Sequence, residues 1–223
     1  LLLDFSRRPD APAFSFRTST PGALGILIAG DDDSVRPFAD QPLVVALTLD
    51  QLMHRRRNVL KDTLDKLQRY DCTAVLVRGA EPDQLKAGRI YQKLSALKDE
   101  GFADLLLLEC TDALAAEWVC DNTPIHGIVI PFSRHHLAAR YRLFTAAAAA
   151  GVGLIADTPD SETADPGFAL AHPEISAAIT PAGLAATVLT TPTPADLEAA
   201  WASYQQSHSP PPKLKGNHPP ETA

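Results

Sequence analysis

From residue 42 onward, short runs of apolar residues alternate with longer stretches in which apolar residues return every three or four positions. PLVVALTLD (42–50), CTAVLVRG (72–79), ADLLLLEC (103–110), IHGIVIPF (125–132), VGLIADTP (152–159) and ISAAITPAG (175–183) each read as a strand. RNVLKDTLDKLQRY (57–70) puts Val59, Leu60, Thr63, Leu64 and Leu67 on one helical face. A second helix is expected over 82–101, with Pro82 in its first turn, Leu85, Ile90, Leu94 and Leu97 inward, and Gly101 as its stop. Thr111 is placed to cap DALAAEWVCDN (112–122), HHLAARYRLFTAAAAAG (135–151) reads as one helix ending at Gly151, and Thr193 is placed to cap PADLEAAWASYQQ (194–206).

The strands recur about every 22 to 30 residues with a helix between them, and most are apolar throughout. Parallel strands covered on both faces have this pattern, whereas half-exposed strands alternate. An open doubly wound sheet that binds nucleotides carries GxGxxG or GxxxxGK[ST] after a strand. Neither motif occurs in the sequence, so a closed (β/α)8 barrel of the TIM type is favoured. TPGALGILIAG (20–30) is open to two readings, a Gly-interrupted helix or a strand, with the helix preferred, running into a loop at DDDSVRPFADQ. The chain does not begin with Met, and the barrel's first strand is expected upstream of Leu1. The barrel domain is expected to occupy 1–207, and 208–223 to form a disordered tail, because HSPPPKLKGNHPPETA is too rich in Pro and polar groups to bury a core.

A chain of 223 residues, 45% hydrophobic and 21% charged, suffices for one large core. The net charge of -7 argues against nucleic acid or anionic lipid as partners. No stretch approaches the roughly 18 consecutive apolar residues of a membrane span, and LLLDFSRRPD turns charged too soon for a signal peptide. Cys72, Cys110 and Cys120 form no CxxC pair and are odd in number, which points to buried, inert thiols in a reducing, cytoplasmic compartment.

Four segments resemble the aldo/keto reductases in the order that family would have them: NVLKDTLDKLQRYDCTAVLVRG, KLSALKDEGFADLLLLEC, TAAAAAGVGLIADTPD and HPEISAAITPAGLAATVLTTPTPADLEAA. The likeness spans about residues 42–201. It implies a (β/α)8 barrel that reduces carbonyls with NADPH, using a tyrosine acid eased by a lysine, with an aspartate and a histidine. A phenol of pKa about 10 needs a nearby cation to give up its proton as hydride arrives.

Carried onto this chain, that tetrad is largely missing. LLLDFS resembles the family's second strand and makes Asp4 the candidate aspartate. The tyrosine's place falls at Pro9, with Phe14 and Phe16 the nearest aromatics and neither able to donate a proton. Thr48 stands at the lysine's place and Arg78 at the histidine's. An arginine keeps its proton near neutrality, although it can hold an anion or polarise a carbonyl. No Lys lies between residues 1 and 60 and no Tyr between 1 and 69, so small shifts of alignment restore nothing.

The span from Thr145 to Pro212 has no Lys or Arg but seven carboxylates, and the resemblance places the cofactor's phosphate contacts there. Glu109 and Cys110 replace the small polar residues that would face a nicotinamide amide. The expectation is therefore no bound cofactor, with NADP(H) the exception if the family reaction is retained. Arg78, Glu109 and Asp157 all fall at expected C-terminal strand ends, where such barrels hold ligands, and are the candidate ligand-binding residues.

Other constellations read as surface features. Adjacent His135 and His136 point about 100° apart on a helix, which does not suit a metal pair, and His126 lies apart from them. MHRRRN (53–58) reads as a solvated helix start and DDDS (31–34) as a solvated loop. Three readings stay open: a non-catalytic scaffold with a protein partner or a small acidic metabolite near Arg78, a working NAD(P)H oxidoreductase with an altered acid, and an unrelated barrel or open sheet sharing the βα rhythm.

Overall fold

The computed structural model describes residues 2–4, 25–29, 42–85, 88–158, 165–181, 192–208 and 210. Within them eight parallel strands close into a barrel in sequence order: β1 (Leu2–Asp4), β2 (Gly25–Ala29), β3 (Leu43–Thr48), β4 (Cys72–Arg78), β5 (Ala103–Glu109), β6 (Gly127–Pro131), β7 (Gly153–Asp157) and β8 (Ile175–Pro181). Helices α1 (Arg56–Lys66), α2 (Pro82–Leu85), α3 (Arg89–Asp99), α4 (Ala113–Asn122), α5 (Leu143–Ala150), α6 (Pro166–Leu170) and α7 (Pro194–Ser207), with a π-helical turn at Gln51–Arg55 and a 3-10 turn at Ala138–Arg140, complete the described elements.

The apolar runs divide by parity between two cores. Val44, Ala46, Ala74, Leu76, Leu107, Val129, Ile155 and Ile179 meet inside the barrel. Val45, Val75, Val77, Leu106, Leu108, Ile128, Ile130 and Leu154 face outward and pack with Leu60, Leu64, Leu94, Leu97 and Val119 of the helices. Strands β3 to β8 are thus buried on both faces, which is why the sequence shows continuous apolar runs there. A register shift between Leu154 and Ile155 opposes β8 with one extra residue, Ser176. That bulge allows Ile175 to face the helices while Ile179, four residues on, faces the barrel interior.

Several local expectations are corrected. The segment 20–30 contributes a strand, Gly25–Ala29, not a helix, because β1 and β3 on either side supply the ladder bonds that its short GILIA run could not obtain alone. The first strand does not lie upstream of Leu1: Leu2–Asp4 pairs with both β2 and β8 and closes the ring. Asp4 therefore sits on the first strand and not the second. The helix expected over 82–101 is broken at Gly88, whose φ of 70° ends helical geometry there before α3 begins.

Asp112, not Thr111, caps α4, its carboxylate accepting the Ala115 N–H at 2.8 Å. The single helix expected over 135–151 becomes a 3-10 turn at Ala138–Arg140 followed by α5. Ser133 Oγ accepts the His135 N–H and lies 3.1 Å from His136 Nδ1, holding both histidines in a turn ahead of it. Conversely, Thr193 caps α7 as expected, in a reciprocal capping box with Asp196. The loop DDDS, Pro9, Phe14, Phe16 and all of the expected tail except His208 and Pro210 lie outside the described residues. No helix among the described residues is long and apolar enough to cross a membrane.

Candidate ligand site at the barrel mouth

The interior parity, continued by two residues up each strand, fixes what the mouth presents. After Ala46, Leu76, Leu107, Val129 and Ile155 of the interior come Thr48, Arg78, Glu109, Pro131 and Asp157. These end β3 to β7, so the polar residues that stop the apolar runs line the C-terminal rim of the barrel. Thr48 pairs with Arg78 in the β3–β4 ladder and Pro131 with Asp157 in β6–β7. Asp4 ends β1 opposite Leu27 and Pro181, at the same end of the barrel.

Arg78 and Glu109 are brought together across neighbouring strands. Arg78 Nε lies 3.5 Å from Glu109 Oε1, and each side chain is only 16% exposed. The other carboxylate oxygen, Oε2, accepts the Gly79 N–H at 3.1 Å. Gly79 has a φ of 71°, a left-handed conformation that turns the chain as it leaves β4. Asp157 is 6% exposed and is separated from Glu109 by β6. Thr48 is engaged in a local loop: its N–H donates to Gln51 Oε1 at 2.9 Å, and its hydroxyl oxygen accepts the Gln51 N–H at 3.2 Å.

Arg78, Glu109 and Asp157 stand at strand ends as the sequence pattern implies, whereas Gly79 as a donor was not among the expected residues. The signal was present in the abrupt Arg-Gly stop of β4. What sequence lacked was the 30-residue separation between Gly79 and Glu109 being closed by the ladder.

Two carboxylates of the span after β7 are paired with arginines that precede that strand. Arg134 contacts Asp165 at 3.1 Å, and Arg140 contacts Glu198 at 2.9 Å. The N-terminus of α7 is filled by its own capping box, with the Thr193 N–H donating to Asp196 at 2.9 Å. Those backbone and hydroxyl bonds from Thr193 hold the Asp196 carboxyl below its usual range. Cations that reach this span are thus met by its own carboxylates.

Among the described residues, no three His, Cys, Asp or Glu side chains are grouped as a metal site would need. His126 is far from His135 and His136 in role: its Nδ1 accepts the Leu106 N–H at 3.2 Å beside β5, and its Nε2 meets Lys98 Nζ at 2.9 Å. All three cysteines are buried and free. A cleft lined by Cys110, Ile130, Pro131, Ala139, Leu143 and Tyr204 lies between the barrel wall and α7. Cys110 and Ile130 belong to the outer core and Pro131 ends β6 at the rim, so this cleft flanks the mouth on its outer side.

No protein-family model matches the chain, and no curated protein matches it. Solved aldo-keto reductases share its fold. One from Klebsiella pneumoniae in complex with NADPH is 16% identical, with 86% of this chain and 82% of that one covered and a TM-score of 0.61. An aldo/keto reductase of the same organism, in complex with NADP and acetate, is 14% identical over 86% and 83% of the two chains, with a TM-score of 0.56. The holo form of an aldo-keto reductase from Bacillus halodurans is 13% identical over 73% and 72%, with a TM-score of 0.55. The chain therefore has the aldo/keto reductase type of barrel, which is a statement about fold.

Proposed function

We propose that this chain is an aldo/keto reductase-like barrel that does not carry out carbonyl reduction and serves as a scaffold whose mouth binds a small, carboxylate-bearing metabolite at Arg78. The observation that carries this reading is the rim itself: Thr48 and Arg78 stand side by side where the reaction calls for a lysine and a histidine. Thr48 has no charge to ease the ionisation of a phenol, and Arg78 does not exchange protons near neutrality. The candidate Asp4 ends the first strand, whereas the second strand is Gly25–Ala29. Neither strand supplies the acid, since no Tyr precedes residue 70.

The residues present do not fit NADP(H) in the family's manner. A 2′-phosphate placed along the span after β7 would meet carboxylates, and Arg134 and Arg140 are already engaged by Asp165 and Glu198. The N-terminus of α7, which would otherwise attract a phosphate, holds the Asp196 carboxylate.

Titration of the protein with NADPH and with NADH, followed by calorimetry, and an assay with a generic aldehyde and a quinone test the reading. The expected result is no micromolar binding and no turnover. Micromolar binding with turnover overturns it in favour of the second reading, an active NAD(P)H-dependent reductase with a different acid. The NADP(H) carried by the Klebsiella pneumoniae structures is what favours that alternative.

A further inference from the structure

We infer that Arg78 and the Gly79 N–H form a carboxylate cradle, and that Glu109 is its internal occupant, holding the site closed until an external carboxylate displaces it. This rests on the reading of the mouth as a binding site. The two oxygens of Glu109 are held separately, Oε1 facing Arg78 Nε at 3.5 Å and Oε2 accepting the Gly79 N–H at 3.1 Å. A guanidinium and a backbone N–H converging on the two oxygens of one carboxylate is how proteins hold a carboxylate ligand. Here the ligand is tethered to β5.

Local geometry supports exchange. The guanidinium contact at 3.5 Å is long for a charge-assisted hydrogen bond, whose length is about 2.7 to 2.9 Å. On the arginine side, then, the resident carboxylate is met by a long ion-pair contact. Gly79 is exposed, and among the described residues a Cβ built on it would meet nothing within 4 Å, so the turn that carries the N–H donor is open on its Cα side. The occupant's own flexible side chain carries it, and rotation of Glu109 about its χ angles would vacate the site without moving a strand. The class of ligand is a small molecule bearing a carboxylate.

The experiment compares the wild type, Glu109→Ala and the double variant Arg78→Gln/Glu109→Ala in thermal unfolding against sodium formate, with sodium chloride at matched ionic strength as the control. Formate is the smallest carboxylate and should refill the vacated cradle. The expected result is a saturable rise of about 3 °C or more for Glu109→Ala beyond the chloride control. The wild type and the double variant should show no such excess. Should the alanine variant not fold, Glu109→Gln keeps the side chain's shape and should respond to formate more than the wild type does.

Equal formate responses in the wild type and the Glu109 variants, or a response that survives loss of Arg78, overturn the cradle. Formate rescue dependent on Arg78, together with NADPH turnover by the wild type, keeps the cradle and overturns the non-catalytic reading. Absence of rescue with absence of turnover does the reverse.

Discussion

Thr48 and Arg78 are register partners across β3 and β4, two adjacent inward positions of the barrel rim. Because they are neighbours, restoring one without the other leaves a proton relay incomplete. Arg78→His, and likewise Thr48→Lys/Arg78→His, should not produce measurable oxidation of NADPH with a generic aldehyde, since no Tyr precedes residue 70 in the sequence. Appearance of turnover in either variant would show that another side chain serves as the acid.

His172 is 4% exposed and stands edge-on to Phe132, with ring centroids 4.9 Å apart, and 5.0 Å from Phe168. Its Nδ1–H donates to the Phe168 carbonyl at 3.0 Å, while Nε2 is buried without a hydrogen bond. Burial lowers its pKa, with Arg140 adding to the effect and the Phe168 carbonyl and Glu174 opposing it. The unfolded chain then binds a proton that the folded chain resists. Stability from this group is complete above the ordinary histidine value of about 6.5 and is lost as pH falls towards the depressed value.

His126, also lowered by burial and by Lys98, acts in the same sense. His172→Asn retains a donor for Phe168, and denaturant titrations from pH 7 downward should show a shallower loss of stability than in the wild type. The difference in slope should not exceed about 1.4 kcal/mol per pH unit, the value for one proton. An unchanged slope would mean that His172 takes up its proton in the folded protein as readily as in the unfolded chain.

Gly127 and Gly79 should respond to alanine for different reasons. A Cβ on Gly127 would lie 2.9 Å from Leu107 Cδ2 and 3.2 Å from the Gly153 carbonyl oxygen, inside a filled barrel. Gly127→Ala should cost about 1 to 3 kcal/mol by overpacking. Gly79→Ala meets no neighbour but forces a side chain onto a φ of 71°, at a cost of about 1 to 2 kcal/mol. Chemical denaturation distinguishes the causes through a third variant: Gly79→Asn should cost less than Gly79→Ala, because asparagine tolerates left-handed backbone.

The thiols should be silent in the folded protein. Burial is the largest cause pushing Cys72 and Cys110 up to about 12 and Cys120 up to about 11. Thiolate is the reacting species, so a colorimetric disulfide reagent at mildly alkaline pH should titrate none of the three until denaturant is added, and then all three. Rapid reaction of Cys110 in the native protein would mean that the cleft beside α7 opens to solvent.

The stripe of α1 and the six strands from β3 to β8 were legible because burial on two faces demands continuous apolar runs, and packing against a barrel demands apolar residues at helical spacing. The two N-terminal strands were not. Leu2–Asp4 is three residues long and Gly25–Ala29 five, too short for periodicity to separate strand from helix. Their identity comes from hydrogen bonds offered by β8 and β3, which are distant in sequence.

By itself the sequence determined the barrel rhythm, the polar stops at the strand ends, and the residue types that stand at those stops. These are properties of residue type and order, and folding does not alter them. Tertiary structure decided which stops meet. Ring closure made Leu2–Asp4 the first strand, and inward parity set Thr48 beside Arg78. The β4–β5 crossover carried Glu109 across 30 residues to Gly79. A charge pair between strands depends on register and twist, and those are fixed only when every strand has found both of its neighbours.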